Sequence, residues 1–315
     1  MSNIASRQSF GEAVTALAEK NTQIVVMDAD LGKSTMTSSF AKKFPDRYIE
    51  MGIAEQNLIG TAAGLAMAGK IPFAASFTCF LVGRYETIRM SVSYAGTNVK
   101  LVGTHAGAGI GEDGYSQMGL EDIAMLRSLP NMAIVQPADD LEARQSVQWA
   151  AEYNGPVYLR LTRQKLPDLH KPDYKFQFGK ADILKPFSGG NSPSTAVIFC
   201  TGGVVDSSLK AAQDLQGIGI DAAVVNIHTI KPLDEEAVKT FCSKTRNVIV
   251  AEDHNVIGGL ASAISETAAL AGLNIRLKRI GLESFGESGS PEGLYEKFGF
   301  TSEKISRTVQ EFVKS

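Results

Sequence analysis

The chain has 315 residues, 44% hydrophobic and 21% charged, with a formal net charge of −3. That length predicts two domains, each with room for its own core, and the charge balance offers no attraction to a nucleic acid or an anionic membrane. No run of about eighteen apolar residues occurs and residues 1–9 lack a signal peptide's apolar segment, so the cytoplasm is the expected compartment.

Residues 10–20 have helical periodicity, and 23–28 read as a short apolar strand closing on Asp28-Ala29-Asp30, with polar residues 32–39 beyond it. An extended segment, 47–51, runs into Gly52-Ile53-Ala54-Glu55-Gln56-Asn57 and an apolar helix over 58–68. That helix is so rich in Ala and Gly that it predicts close packing on other backbone. Glu55 then stands at the helix's positive end, where a plain capping carboxylate is the usual reading. Next come a strand over 71–77, a helix over 80–94 with Arg84, Glu86 and Arg89 on its polar side, and a strand over 99–103. Thr104-His105 and the glycine-rich 106–114 follow, then a helix over 120–127, a strand over 132–136, a helix over 141–153 and a strand over 157–161.

Short apolar strands alternating with helices predict a mostly parallel sheet covered on both faces. Ligands of such sheets gather beyond the carboxyl ends of the strands. Asp30, Phe77, His105 and Arg163 all fall at or just past such an end, which predicts one shared site.

Between about residues 165 and 193 the alternation lapses into a proline-bearing stretch with a Ser-Gly-Gly-Asn-Ser-Pro run over 188–193, read as a linker. A second block alternates again: strands over 195–200, 222–227, 247–251 and 274–280, and helices over 205–216, 234–243 and 258–271. Two helices, 291–298 and 302–314, close the chain.

Gly107-Ala-Gly109 follows a strand, as a dinucleotide fingerprint would, but Glu112 occupies the third glycine position and Asp113 would repel a pyrophosphate. His105, His228 and His254 sit at strand ends and His170 in the linker, where a solvated side chain is expected; without HxxxH or HExxH spacing no protein-held metal is expected. Cys79, Cys200 and Cys242 lie far apart in apolar runs and read as reduced core thiols.

In combination, Gly52-Ile-Ala-Glu-Gln-Asn57, Phe77-Thr-Cys-Phe80, Thr104-His105, Gly111-Glu-Asp-Gly114 and Leu161-Thr-Arg-Gln-Lys-Leu-Pro167 resemble, in order and separation, the C-terminal half of a transketolase. Thr229-Ile-Lys-Pro-Leu-Asp234 and Glu252-Asp-His-Asn-Val-Ile-Gly-Gly259 agree with it in the second block. The resemblance implies two doubly wound α/β domains: a pyrimidine-binding domain over 1–165, a linker over 166–193 and a transketolase C-terminal domain over 194–315. It implies thiamine diphosphate as cofactor, Glu55 hydrogen-bonding N1′ of the aminopyrimidine so that the imino tautomer is favoured, and Phe77 and Phe80 stacked under that ring. Gly83 stands where the family has a further aromatic.

By the same resemblance His105 and Asp113 contact sugar hydroxyls, His105 joining Glu55 as catalytic, and Arg7, Ser34 and Arg163 hold the acceptor's phosphate. Gln117 stands where the family has a histidine; glutamine hydrogen-bonds but carries no proton at neutral pH. No Gly-Asp-Gly occurs in the sequence, so the diphosphate site and its Mg²⁺ are expected on an N-terminal partner subunit, in an α2β2 assembly. The implied reaction moves a two-carbon ketol unit from a ketose phosphate to an aldose phosphate. The rivals are the β subunit of a 2-oxo acid dehydrogenase, a deoxyxylulose-phosphate-synthase-like enzyme and a non-catalytic subunit. The Gly111–Gly114 loop and the Leu161-Thr-Arg-Gln segment favour transketolase over the first.

Overall fold

The computed structural model describes residues 3–189 and 194–315; residues 1–2, and 190–193 of the expected linker, lie outside the described residues. Among the described residues the first sheet has seven strands, in the order Thr229–Lys231, Ala133–Val135, Val157–Arg160, Lys100–Thr104, Ile71–Phe77, Ile24–Asp28 and Tyr48–Glu50. All pair in parallel except Thr229–Lys231, which is antiparallel to Ala133–Val135. A second sheet runs Arg276–Leu282, Asn247–Asn255, Thr195–Cys200, Asp221–Asn226 and Asp182–Lys185, with the last antiparallel.

The apolar runs of these strands are continuous because both faces are covered, and successive side chains point to opposite cores. Ile24 and Val26 join Phe10, Val14 and Phe73 on one face; Val25 and Met27 join Leu58, Ile59 and Leu101 on the other. In the second sheet Val197 and Phe199 face one core, and Ile198 and Cys200 the other. That last core also takes in Ala108, Ile110, Met118 and Leu120, so the two sheets share buried surface. No helix among the described residues is long and apolar enough to cross a membrane.

Four sequence expectations change, three of them in secondary structure and packing. The helix Glu55–Met67 buries Leu58, Ile59, Ala62 and Ala63 on the sheet, but Gly60 and Gly64 face outward, with open space where a Cβ would stand. The expected close packing on backbone is therefore not made within this chain. The continuous helix over 80–94 is broken: Thr78–Val82 ends at Gly83, and after Arg84 and the turn Tyr85–Thr87 the chain winds as a π-helix over Ile88–Tyr94. The stretch after residue 165 is not structureless, since Lys165–Pro167 pairs antiparallel with Asn3–Ala5 and Asp182–Lys185 edges the second sheet.

His170, expected to be solvated, has a side chain only 4% exposed. Its Nδ1 lies 2.8 Å from Asp139 Oδ2 and its Nε2 3.0 Å from Asp182 Oδ2, and its ring stacks on Tyr174. Asp139 also caps the helix Asp140–Glu152, so one imidazolium ties that helix to the edge strand of the second sheet. Burial pulls the His170 pKa down, but the hydrogen bonds to Asp139 and Asp182 and the charge of Glu142 carry it up to about 10. A raised histidine pKa stabilises the fold fully below the unfolded value of 6.5, and that contribution is lost as pH rises through about 10. Denaturant unfolding of the protein and its His170→Gln variant should therefore differ most at pH 6.5 and below, and the difference should shrink toward pH 10.

Candidate active site

The strand Asn3–Ala5 lies against Lys165–Pro167, and Ser6 Oγ accepts the Thr162 amide at 2.8 Å. This pairing brings the first turn of the helix Ser6–Lys20 beside the end of the strand Val157–Arg160, and so Arg7 beside Arg163. Arg7 Nη1 donates to the Ser34 carbonyl at 2.7 Å. That carbonyl is held in place by Asp28, a buried carboxylate accepting from Leu31 N at 2.6 Å, Thr35 Oγ1 at 2.5 Å and Thr37 Oγ1 at 3.0 Å. Burial raises the Asp28 pKa to about 6, with those hydrogen bonds opposing it. Burial, then the nearby Arg163 charge, lower the Arg7 pKa, while Asp113 raises it. Arg7 Nε is buried without a hydrogen-bond partner among the described residues. Two neighbouring guanidiniums, one with an orphaned donor, offer suitable partners to a tetrahedral oxyanion.

His105 ends the strand Lys100–Thr104 with a φ of 58°, a left-handed conformation rare outside glycine. Its Nε2 lies 3.0 Å from Arg7 Nη1, and its Nδ1 2.9 Å from Thr104 Oγ1. Guanidinium donates only, so Nε2 accepts and the proton sits on Nδ1, donated to Thr104. Burial and then the charges of Arg7 and Arg163 hold the His105 pKa down to about 3. The ring is thus neutral and committed as an acceptor.

Phe77 stacks on His105 with centroids 3.7 Å apart, and on Phe80 at 5.7 Å with only 10° between the planes. This aromatic row joins the anion side to a cleft of about 320 Å³ lined by Ala29, Asp30, Ile53, Glu55, Phe80 and Arg84. Glu55 opens the helix Glu55–Met67, is 6% exposed, and accepts the Ser76 hydroxyl at 3.0 Å. A Cβ on Gly83 would stand 2.9 Å from Cys79 O, so a third aromatic has no place on this turn. The carboxylate at one edge and the phenyl ring at the other suit a planar heteroaromatic ring carrying a basic nitrogen.

Of the four strand-end residues, Phe77, His105 and Arg163 lie around this row and Asp30 lines the Glu55 cleft; Glu55, Phe80, Arg7 and Ser34 lie beside them. Arg163 Nη1 donates to the Ile110 carbonyl and lies 3.3 Å from Glu112 Oε2. Asp113 is exposed and acts on Arg7 through its charge, and Gln117 lies half-buried on the turn Tyr115–Gln117. Sequence reasoning missed Asp28, whose only signal was its place before the Asp30 turn, and Ile53 and Arg84, which flank Glu55. It also assigned nothing to the second domain, whose Asp253 and Ser288 reach the glycine-rich loop, with the Tyr295 hydroxyl donating to Asp253.

Residues 2–168 match the family Transketolase, pyrimidine binding domain, and residues 191–305 match Transketolase, C-terminal domain. A putative transketolase C-terminal section from Methanocaldococcus jannaschii is 42% identical over 313 residues, 98% of this chain and 96% of that protein. A 6-deoxy-6-sulfo-D-fructose transketolase subunit from Clostridium sp. (strain MSTE9) is 39% identical over 307 residues, 97% of this chain and 93% of its own length. Among solved structures, a split gene transketolase described as an inactive β4 tetramer has a TM-score of 0.89 at 41% identity, over 99% of each chain. With both domain matches and these relatives spanning nearly its whole length, the chain belongs to the transketolase family.

Proposed function

We propose that this chain is the pyrimidine-binding half of a two-subunit transketolase that moves a two-carbon ketol unit from a ketose phosphate to an aldose phosphate. The observation that carries the reading is Glu55, buried at a helix mouth across a narrow cleft from Phe80 and joined through Phe77 and His105 to a pair of guanidiniums. Thiamine diphosphate, when bound, supplies the carbanion chemistry. Glu55 would hold a proton shared with N1′ of its pyrimidine, Ser76 orienting the carboxylate, and Phe77 and Phe80 would exclude water from the ring. Arg7, the Ser34 turn and Arg163 would hold the acceptor's anion, with His105, Asp113 and Gln117 presented to the sugar. A sulfonated sugar, of the kind named for the Clostridium relative, offers the same guanidiniums a tetrahedral oxyanion of lower charge.

The other half of the cofactor's site would come from a partner carrying Gly-Asp-Gly, which would also hold the Mg²⁺; among the described residues no three His, Cys, Asp or Glu side chains gather to hold a metal. The outward Gly60 and Gly64, with Ile53 84% exposed in the Glu55 cleft and Met67 71% exposed at the other end of the same helix, support such a partner. So does the relative solved as a β4 tetramer and described as inactive. We propose an α2β2 assembly. Native mass measurement of the chain mixed with a Gly-Asp-Gly-bearing subunit should give two copies of each, and ketol transfer should require both. Full turnover by this chain alone would overturn the proposal.

Within that assembly, Glu55→Gln keeps the shape of the side chain and should cut kcat about 10²- to 10⁴-fold, the range for loss of a positioned proton-transfer group. A variant with near-normal rate removes Glu55 from the chemistry. Arg163→Ala should raise the KM for the phosphorylated acceptor about ten- to a hundredfold with little change in kcat, since it removes binding common to ground and transition states. A fall in kcat alone would show that Arg163 is not an anchor.

A further inference from the structure

Beyond the active-site residues, one buried carboxylate of the second domain reaches across the domain junction. Asp253 lies near the end of the strand Asn247–Asn255, 2% exposed. It accepts the Ala108 amide at 2.7 Å, the Gly109 amide at 3.3 Å and the Tyr295 hydroxyl at 2.9 Å. Its own carbonyl accepts from Arg160 Nη2 at 3.0 Å, which ties it to the first sheet. A Cβ on Gly107, whose φ is 88°, would stand 2.2 Å from Asp253 Oδ2, so that approach admits only glycine.

Connections leave the adjacent strands Thr195–Cys200 and Asn247–Asn255 toward opposite sides of the second sheet, which makes their carboxyl ends a topological switch point. An open α/β sheet ordinarily binds its ligand in that crevice. Here the crevice is filled by the first domain's own loop, with Ala108 and Ile110 buried in the same core as Ile198, Cys200 and Val204. Two consecutive amides aimed at one carboxylate fix the backbone's direction as well as its depth, which apolar packing alone does not.

We infer that Asp253 is a positioning residue for the reaction: by clamping the Ala108 and Gly109 amides it fixes the loop that carries His105 on one side and Asp113 on the other. His105 sits three residues before the clamp in a left-handed conformation, and such conformations persist only where the surroundings over-determine them. Downstream, Ser288 Oγ holds the Glu112 carbonyl at 2.6 Å, next to Asp113. The second domain therefore acts on catalysis without touching substrate. This inference rests on the proposed function only for what His105 and Asp113 meet.

Asp253→Asn tests it, because an amide cannot accept two N–H groups and a hydroxyl without turning one donor toward another. In the full chain alone, hydrogen exchange at Ala108 and Gly109 should quicken about ten- to a hundredfold, the factor expected for a hydrogen bond to a charged group, while amides of Thr195–Cys200 keep their protection. In the assembly with its partner, the acceptor's KM should rise and kcat/KM should fall by up to about a hundredfold, with thiamine diphosphate binding unchanged. Tyr295→Phe removes a single donor to the carboxylate and should shift the same readouts less far, which keeps the test open if the first variant does not fold. Unchanged exchange at 108–109 in a folded variant overturns the clamp. Raised exchange with an unchanged acceptor KM overturns the positioning role. A wild-type assembly without ketol transfer would sink the functional reading instead, leaving exchange, which needs no turnover, to decide the clamp.

Discussion

Arg160 ends the strand Val157–Arg160 with none of its side chain exposed. Its guanidinium meets Asp122 through Nε at 2.7 Å and Nη2 at 3.2 Å, and it donates to the carbonyls of Gly119 and Asp253. Tyr158 Oη gives Asp122 a further hydrogen bond at 2.7 Å. Arg160 Nη1 is buried without a hydrogen-bond partner among the described residues, so the pair's desolvation is only partly offset; removing one partner of a buried pair still typically costs about 3–5 kcal/mol. This pair therefore fixes the relation of three segments: the strand that leads to Arg163, the helix Asp122–Arg127 and the end of the strand Asn247–Asn255. The site between the sheets inherits its geometry from that fixed relation.

The electrostatics of the site follow from burial and from charge placed around it. Burial and the Arg163 charge lower the Arg7 pKa, and burial with the two guanidiniums keeps His105 neutral, while Glu112 pairs with Arg163 on its outer side. Asp113 tempers this at the rim, where solvent screens it. On the far side of the aromatic row, Glu55 lines a cleft with Phe80 and Asp30, and the stacked rings of Phe77 and Phe80 separate that cleft from the two guanidiniums.

The main differences between sequence expectation and structure come from long-range pairing, and one from local winding. His170 was assigned to solvent because its neighbours in sequence are polar and proline-bearing, yet Asp139 and Asp182 come to it from two different elements. Thr229–Lys231 reads as part of the second block but completes the edge of the first sheet, since Ala133–Val135 offers it unpaired backbone. The helix over 80–94 kept its period in sequence while Gly83 and the π-winding of Ile88–Tyr94 re-aimed it, which turned Arg84 into the Glu55 cleft. No local pattern encodes such partners.

What the sequence determined by itself was the alternation of strands and helices, because both-face burial forces continuous apolar strands, and the strand-end positions of Phe77, His105 and Arg163, because parallel sheets present their ligands there. From the local pattern alone Glu55 reads as a capping carboxylate; its place in a site was legible only through the resemblance of the combined motifs to transketolase. Only the tertiary structure decided that Arg7, at the start of the chain, lies beside Arg163 through a short antiparallel pairing, that His105 is held neutral, and that a carboxylate some 150 residues downstream secures its loop. Those outcomes depend on burial and on hydrogen bonds between segments far apart in sequence, and such contacts come into being only when the two sheets pack.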